Sequence, residues 1–140
     1  MTAKSIELDI VTPDKAIVHE EVDEVQLPGW EGALGILPGH TPLLAMLKPG
    51  ELWYRKGQEK VYFVLDFGMA EVLPHKVTVL VRLADKPEEI DVAKQEADRK
   101  AAETELQSAV SIEDAERARI AMLTAMMKLR AAERIRMKKL

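Results

Sequence analysis

The chain has 140 residues, with 24 acidic against 20 basic side chains, a formal net charge of −4 and no cysteine. That length allows one compact domain plus an appendage, and the acidic balance argues against nucleic acid as the main partner. The lack of cysteine excludes a disulfide framework, a thiolate zinc site and a cysteine nucleophile. Residues 1–7 have neither the apolar core of a signal peptide nor the Arg- and Ser-rich look of a transit peptide. No run approaches the roughly 18 apolar residues of a membrane span, so the expectation is a cytosol-like compartment, most simply a bacterial one.

Near the N-terminus Ile6, Leu8 and Ile10 alternate with Glu7 and Asp9, the period-two pattern of a half-buried strand. Residues 12–15 read as a turn, 15–20 as a second strand, and 22–27 as a third closed by Pro28 and Gly29. From 30 to 50 the character changes. Gly32, Gly35, Gly39, Pro38, Pro42 and Pro49 forbid a long regular element. Leu34, Ile36, Leu37, Leu43, Leu44 and Met46 are nevertheless strongly apolar. A loop this apolar must tuck into its own core or face another protein. Strands resume at 51–56, turn through Gly57, and continue along 60–67. Gly68 breaks the pattern, and 69–73 and 77–83 follow around a turn at 74–76. Short strands with no helix between them predict an antiparallel sandwich or flattened barrel. Residues 85–87 read as a linker, dividing a sandwich at 1–86 from a helical segment at 87–140.

Residues 88–140 contain no Pro, Gly or aromatic side chain and consist largely of strong helix formers. Asp91 is the expected N-cap of a first helix running to about residue 109, and Ser111 with Asp114 forms a capping box that opens a second near Ile112. A turn this short folds two helices back antiparallel. Ala93, Ala97 and Ala101 are the expected seam of the first helix, and Ala115, Ala118, Met122, Ala125, Leu129 and Ala132 that of the second. At roughly 25 cal/mol per Å² an alanine seam contributes only a few kcal/mol. Ordering some fifty residues costs far more. Two readings follow: a marginal hairpin with more than one docking place, or an ordinary appendage packed permanently on its own domain.

The charges of this segment are sorted. Residues 88–116 hold ten acids and three bases, a net of −7. Residues 126–140 hold Lys128, Arg130, Arg134, Arg136, Lys138 and Lys139 against Glu133, a net of +5. Cations favour a helix C-terminus, but six in fifteen residues exceed what capping needs and suggest an acidic partner surface.

Little in the sequence looks catalytic. His19, His40 and His75 are far apart and show no metal-ligand spacing, so no metal is expected. There is no phosphate-binding glycine loop, nucleophile elbow or paired-histidine zinc motif. His40, inside Pro38-Gly39-His40-Thr41-Pro42, is expected to fix a turn through a hydrogen bond. Glu88, Glu89 and Asp91 are explained by favourable charge at a helix start.

Residues 31–44, Glu-Gly-Ala-Leu-Gly-Ile-Leu-Pro-Gly-His-Thr-Pro-Leu-Leu, resemble the hallmark loop of the epsilon subunits of F-type ATP synthases. Lys48-Pro49-Gly50, Gly68 with Glu71-Val72, Val77 to Leu80 and Ile90-Asp91 extend the resemblance over nearly the whole chain. It implies a β-sandwich of about ten strands followed by a C-terminal antiparallel two-helix hairpin. It further implies a non-catalytic central-stalk subunit that couples proton-driven rotation of the c ring to ATP synthesis. The implied partners are the gamma subunit, the c ring, and the alpha and beta subunits, at the cytoplasmic face of a bacterial inner membrane. By the resemblance Glu31, Gly32, Ala33 and His40 face the ring, while Pro38 and Leu43 shape the loop. Ala33 stands where many relatives carry Glu, which puts one charge contact in doubt.

The family's hairpin lies folded or extends along gamma, where it blocks hydrolysis. Lys128, Arg130, Arg134 and Arg136 are the expected contacts to acidic loops of beta. Some relatives bind ATP through Ile/Leu-Asp-x-x-Arg-Ala. Here Ile90, Asp91 and Lys94 keep part of that pattern, but Lys94 lacks the planar fork of Arg and Gln95 replaces Ala. At most a weak regulatory ATP contact is expected, and no cofactor. The competing reading is a free-standing β-sandwich ligand-binding module with a nucleotide-sensing hairpin.

Overall fold

The computed structural model describes residues 4–138, so Met1, Thr2, Ala3, the basic Lys139 and Leu140 lie outside the described residues. The chain divides into two compact units, Met1–Asp85 and Lys86–Leu140.

The first unit carries ten strands: β1 Ile6–Val11, β2 Ala16–Val22, β3 Glu24–Gly29, β4 Gly32–Ile36, β5 Leu43–Leu47, β6 Gly50–Lys56, β7 Glu59–Leu65, β8 Gly68–Leu73, β9 Lys76–Val81 and β10 Ala84–Asp85. The alternation read in β1 is realised: Ile6, Leu8 and Ile10 are fully buried, while Glu7 and Asp9 face out. Nine strands follow the order β10-β7-β6-β3-β5-β8-β9-β1-β2, and β4 hangs on β3. The core draws on both ends of this order, with Ile6 and Val22 from one and Leu52 and Phe63 from the other. That arrangement is a sheet folded onto itself into a sandwich.

Three features differ from the sequence reading. First, the stretch read as an irregular loop holds β4 and β5, each only five residues long. They exist because β3 and β8 offer partners distant in sequence, with Leu27 opposite Leu34 and Met46 opposite Met69. Second, the linker contributes β10, two residues paired with the end of β7. Third, β1 runs parallel to β9 although the other pairings are antiparallel. A parallel pair needs a long connection, which the chain between β1 and β9 supplies.

The second unit opens with a single 3₁₀ turn, Pro87–Glu89, in which Pro87 is buried. Helix α1 spans Val92–Ser108 and α2 spans Ile112–Lys138. Both expected caps form: the carboxylate of Asp91 accepts from the Lys94 N–H at 3.1 Å, and Ser111 Oγ accepts from the Asp114 N–H at 3.1 Å. The expected face of α1 does not. Ala93, Ala97 and Ala101 are exposed, and the buried positions are Gln95 and Ala102, with Arg99 and Leu106 half-buried between and after them. The helical period is intact but rotated, because alanines spaced every fourth residue bury too little area to fix which face turns inward. On α2 the expected stripe holds, with Ala118 and Ala125 buried and Met122, Leu129 and Ala132 half-buried, and Ala131 is buried as well.

Candidate functional site

The motif residues gather at the β4–β5 side of the sandwich. Gly39 takes φ +88, a conformation open to glycine, and the His40 N–H donates to the Leu37 carbonyl at 3.1 Å. With Pro38 second and Gly39 third, this is a type II turn. The Gly39 N–H donates to the Pro74 carbonyl at 2.7 Å, tying the turn to the one between β8 and β9. His40 Nδ1 lies 2.7 Å from the Thr41 carbonyl, so the ring nitrogen donates there and locks the next residue. The turn-fixing role expected of His40 is therefore met by backbone and side chain together.

β4 pairs with β3 alone, and β5 pairs with β8 and, at one residue, with β3. No ladder joins β4 to β5, and the gap between them is a groove of about 510 Å³. Glu31, Gly32 and Ala33, three of the four residues expected to face the ring, line it with Leu43, expected to shape the loop, and with Trp30 and Met46. Pro38 and His40 lie outside that lining, on the loop connecting the two strands. Glu31 and Ala33 are exposed, and Glu31 is the one ionisable side chain among the lining residues.

A second hollow of about 380 Å³ shares Trp30 and Met46 and adds Phe67, Met69 and Leu80. Trp30 is 59% exposed, Leu44 65%, Met46 59% and Leu80 47%, so the two hollows form one apolar surface. Large contiguous apolar surface on a folded domain marks an interaction site. Sequence reasoning missed Phe67, Met69 and Leu80. A signal was present in β9, where outward-facing positions run Lys76, Thr78, Leu80, ending on an apolar residue where alternation calls for a polar one.

The other expected residues are placed as follows. Ile90 closes the 3₁₀ turn through its N–H to Pro87, Asp91 is engaged as the α1 N-cap, and Lys94 is exposed. Along α2, Arg130 and Arg136 are exposed and Lys128 and Arg134 half-buried. At about 100° per residue Arg130 and Arg134 share one side of the helix and Lys128 and Arg136 another, so the four do not form a single stripe.

At the β1–β2 end of the sheet order, the register of β1 on β2 sets His19 across from Asp9. His19 Nδ1 is hydrogen-bonded to Asp9 Oδ1 and lies 3.8 Å from Glu7 Oε1, while Lys76 Nζ lies 3.4 Å from Asp9 Oδ2. The hydrogen bond to Asp9 raises the His19 pKa above its ordinary 6.5, and the same bond lowers that of Asp9 below 3.8. Linear spacing in the sequence does not show this grouping.

A family model described as the ATP synthase delta/epsilon chain, β-sandwich domain, matches residues 5–87. Over 128 residues the chain is 42% identical to the ATP synthase epsilon chain of Herpetosiphon aurantiacus, covering 91% of this chain and 94% of that one. The chain belongs to the ATP synthase epsilon-chain family. The epsilon chain of Syntrophobacter fumaroxidans is 43% identical over 94% of this chain and 98% of its own length. Among solved structures, a chain in the Euglena gracilis mitochondrial ATP synthase, described as OSCP/F1/c-ring in rotational state 1, superposes with TM-score 0.82 at 27% identity, covering 94% of this chain and 83% of that one. A chain in the Tetrahymena thermophila mitochondrial ATP synthase, described as central stalk/c-ring, shares the fold at TM-score 0.65 and 17% identity. The sandwich and helical pair described above are thus an epsilon-family architecture, and the groove lies within the part that the family model covers. Among the described residues no helix is long and apolar enough to cross a membrane.

Proposed function

We propose that this epsilon-family chain is a non-catalytic subunit of the rotary ATP synthase. In this reading it docks on the gamma subunit and the c ring through the β4–β5 groove and the adjoining Trp30–Leu80 surface, and so transmits ring rotation toward ATP synthesis on alpha and beta. The observation that carries the reading is the exposure of Trp30, Leu44 and Met46 around a groove with a single ionisable side chain. That surface suits burial against protein. The complex would hold the chain at the cytoplasmic face of a bacterial inner membrane, peripherally.

The helical pair is the regulatory part. Its basic C-terminal end restrains ATP hydrolysis by meeting acidic loops of the beta subunits, with Arg130 and Arg136 the best exposed of the contacts. ATP plays at most a weak regulatory role at Ile90, Asp91 and Lys94, since the Asp91 carboxylate is already engaged as a cap. The test is ATP hydrolysis by complexes assembled with the full chain or with residues 112–140 deleted. Intact assembly with faster hydrolysis is expected, and unchanged hydrolysis would remove the brake from the account.

A further inference from the structure

We propose that Glu7, Asp9 and His19 form a cross-strand binding site for a divalent transition cation of the zinc, cobalt or nickel class. Glu7 and Asp9 are two residues apart on β1 and share its outward face, and His19 on β2 stands directly opposite Asp9. Donor atoms from all three lie within 4.8 Å of one another. Around one such ion, with bonds of about 2.1 Å, tetrahedral donors sit roughly 3.4 Å apart. The 3.8 Å between His19 Nδ1 and Glu7 Oε1 is close to that already. The His19–Asp9 contact has to open slightly to admit the ion, a side-chain rotation that leaves the strand pairing intact.

The donor set selects the class of ion. One imidazole with two carboxylates suits borderline cations, whereas magnesium and calcium prefer oxygen alone. Lys76 does not fill the place an ion would take. It contacts Oδ2 of Asp9 while His19 contacts Oδ1, so Lys76 can hold the carboxylate from behind while Oδ1 turns to the ion. Such outer partners orient a ligand and tune its affinity. The two carboxylates outweigh the single ammonium, which leaves the site net negative when His19 is neutral. His19 has a side chain 69% exposed and Glu7 35%, giving the ion an open entry and room for water at its remaining positions. An ion held here would clip β2, the last strand in the sheet order, to β1. The inference is independent of how the chain docks in a rotary complex.

Titrating zinc chloride into the full chain by calorimetry, in a non-chelating buffer, tests it. One-to-one binding is expected, weakened at least about tenfold in His19→Ala and in Asp9→Asn. Amide shifts on zinc addition are expected to centre on residues 7, 9 and 19. Cobalt added to the unaltered chain gives a second readout, a visible absorption band that zinc abolishes. Millimolar binding, affinity unchanged in both variants, or shifts centred on His40 or His75 would overturn the site.

Discussion

Trp30 stands edge-on to Phe67, with ring centroids 5.7 Å apart and planes at 87°. The contact joins the end of β3 to the bend between β7 and β8, and the Trp30 backbone N–H donates to the Met46 carbonyl at 2.9 Å. A large ring that is 59% exposed, braced edge-on by Phe67 and carried on a pinned backbone, is the kind of anchor that dominates protein interfaces. Trp30→Ala is expected to weaken binding to the proposed rotor partner by about 2 kcal/mol or more. Phe67→Leu should weaken it less, because it loosens the anchor without removing it. Titration calorimetry against the partner, with circular dichroism to show retained fold, checks both.

Gly68 has no room for a side chain. A Cβ there would meet the Leu80 carbonyl oxygen, with Val81 Cγ1 at 2.6 Å and Val81 Cα at 2.9 Å. Two of these three neighbours are backbone, so they cannot swing aside. Gly68→Ala is expected to destabilise the sandwich by about 3 kcal/mol, the upper range for overpacking, measured by urea unfolding of the full chain.

Asp66 is 2% exposed and paired with Arg82. Arg82 reaches its Oδ2 with two nitrogens, at 2.6 and 3.2 Å, and the Phe67 N–H donates to Oδ1 at 2.8 Å. Arg82→Ala leaves the carboxylate short of its countercharge. The Arg82 side chain is 72% exposed, so water takes over part of the role and the cost is discounted to about 1–3 kcal/mol. The same unfolding assay reads it, and a loss under half a kcal/mol would contradict the assigned role.

The His19–Asp9 pair makes stability depend on pH with a definite sign. His19 is raised above 6.5 by its hydrogen bond to Asp9 and by the Asp9 charge, with Glu7 raising and Lys76 lowering it. Its contribution is full below pH 6.5 and fades as pH climbs through the raised value. Asp9 is lowered below 3.8 by the His19 bond, with Lys76 adding. Its contribution is full above 3.8 and fades as pH falls through the lowered value. The pair therefore supports the fold most between about pH 4 and 6.5. Asp9→Asn is expected to return the His19 NMR titration toward its ordinary midpoint, and a midpoint unmoved by that change would refute the pairing.

Much of this fold was legible because local chemistry dictated it. The alternation of Ile6, Leu8 and Ile10 required a one-sided strand, Asp91 and Ser111 capped helices where they stood, and Pro38-Gly39 demanded a turn. What escaped depends on partners far along the chain. β4 and β5 lie among turn residues and become strands only through β3 and β8. The buried face of α1 was misplaced because alanine weakly specifies orientation, so Gln95 and Ala102 took the place expected for Ala97 and Ala101. Of the candidate site, Glu31, Ala33 and Leu43 were visible in the motif. Met69 and Leu80 join them only once β5, β8 and β9 are laid side by side, and His19 meets Asp9 only through register.

We propose that the apolar surface around the β4–β5 groove seats this chain on the rotor. The most direct measurement is binding of the full chain to a purified gamma subunit and c-ring assembly, compared with the Leu44→Glu, Met46→Glu double variant. Saturable one-to-one binding by the unaltered chain, lost by at least about a hundredfold in the folded double variant, is the expected result. Binding that survives both charges undiminished, or no binding by the unaltered chain, would contradict the account.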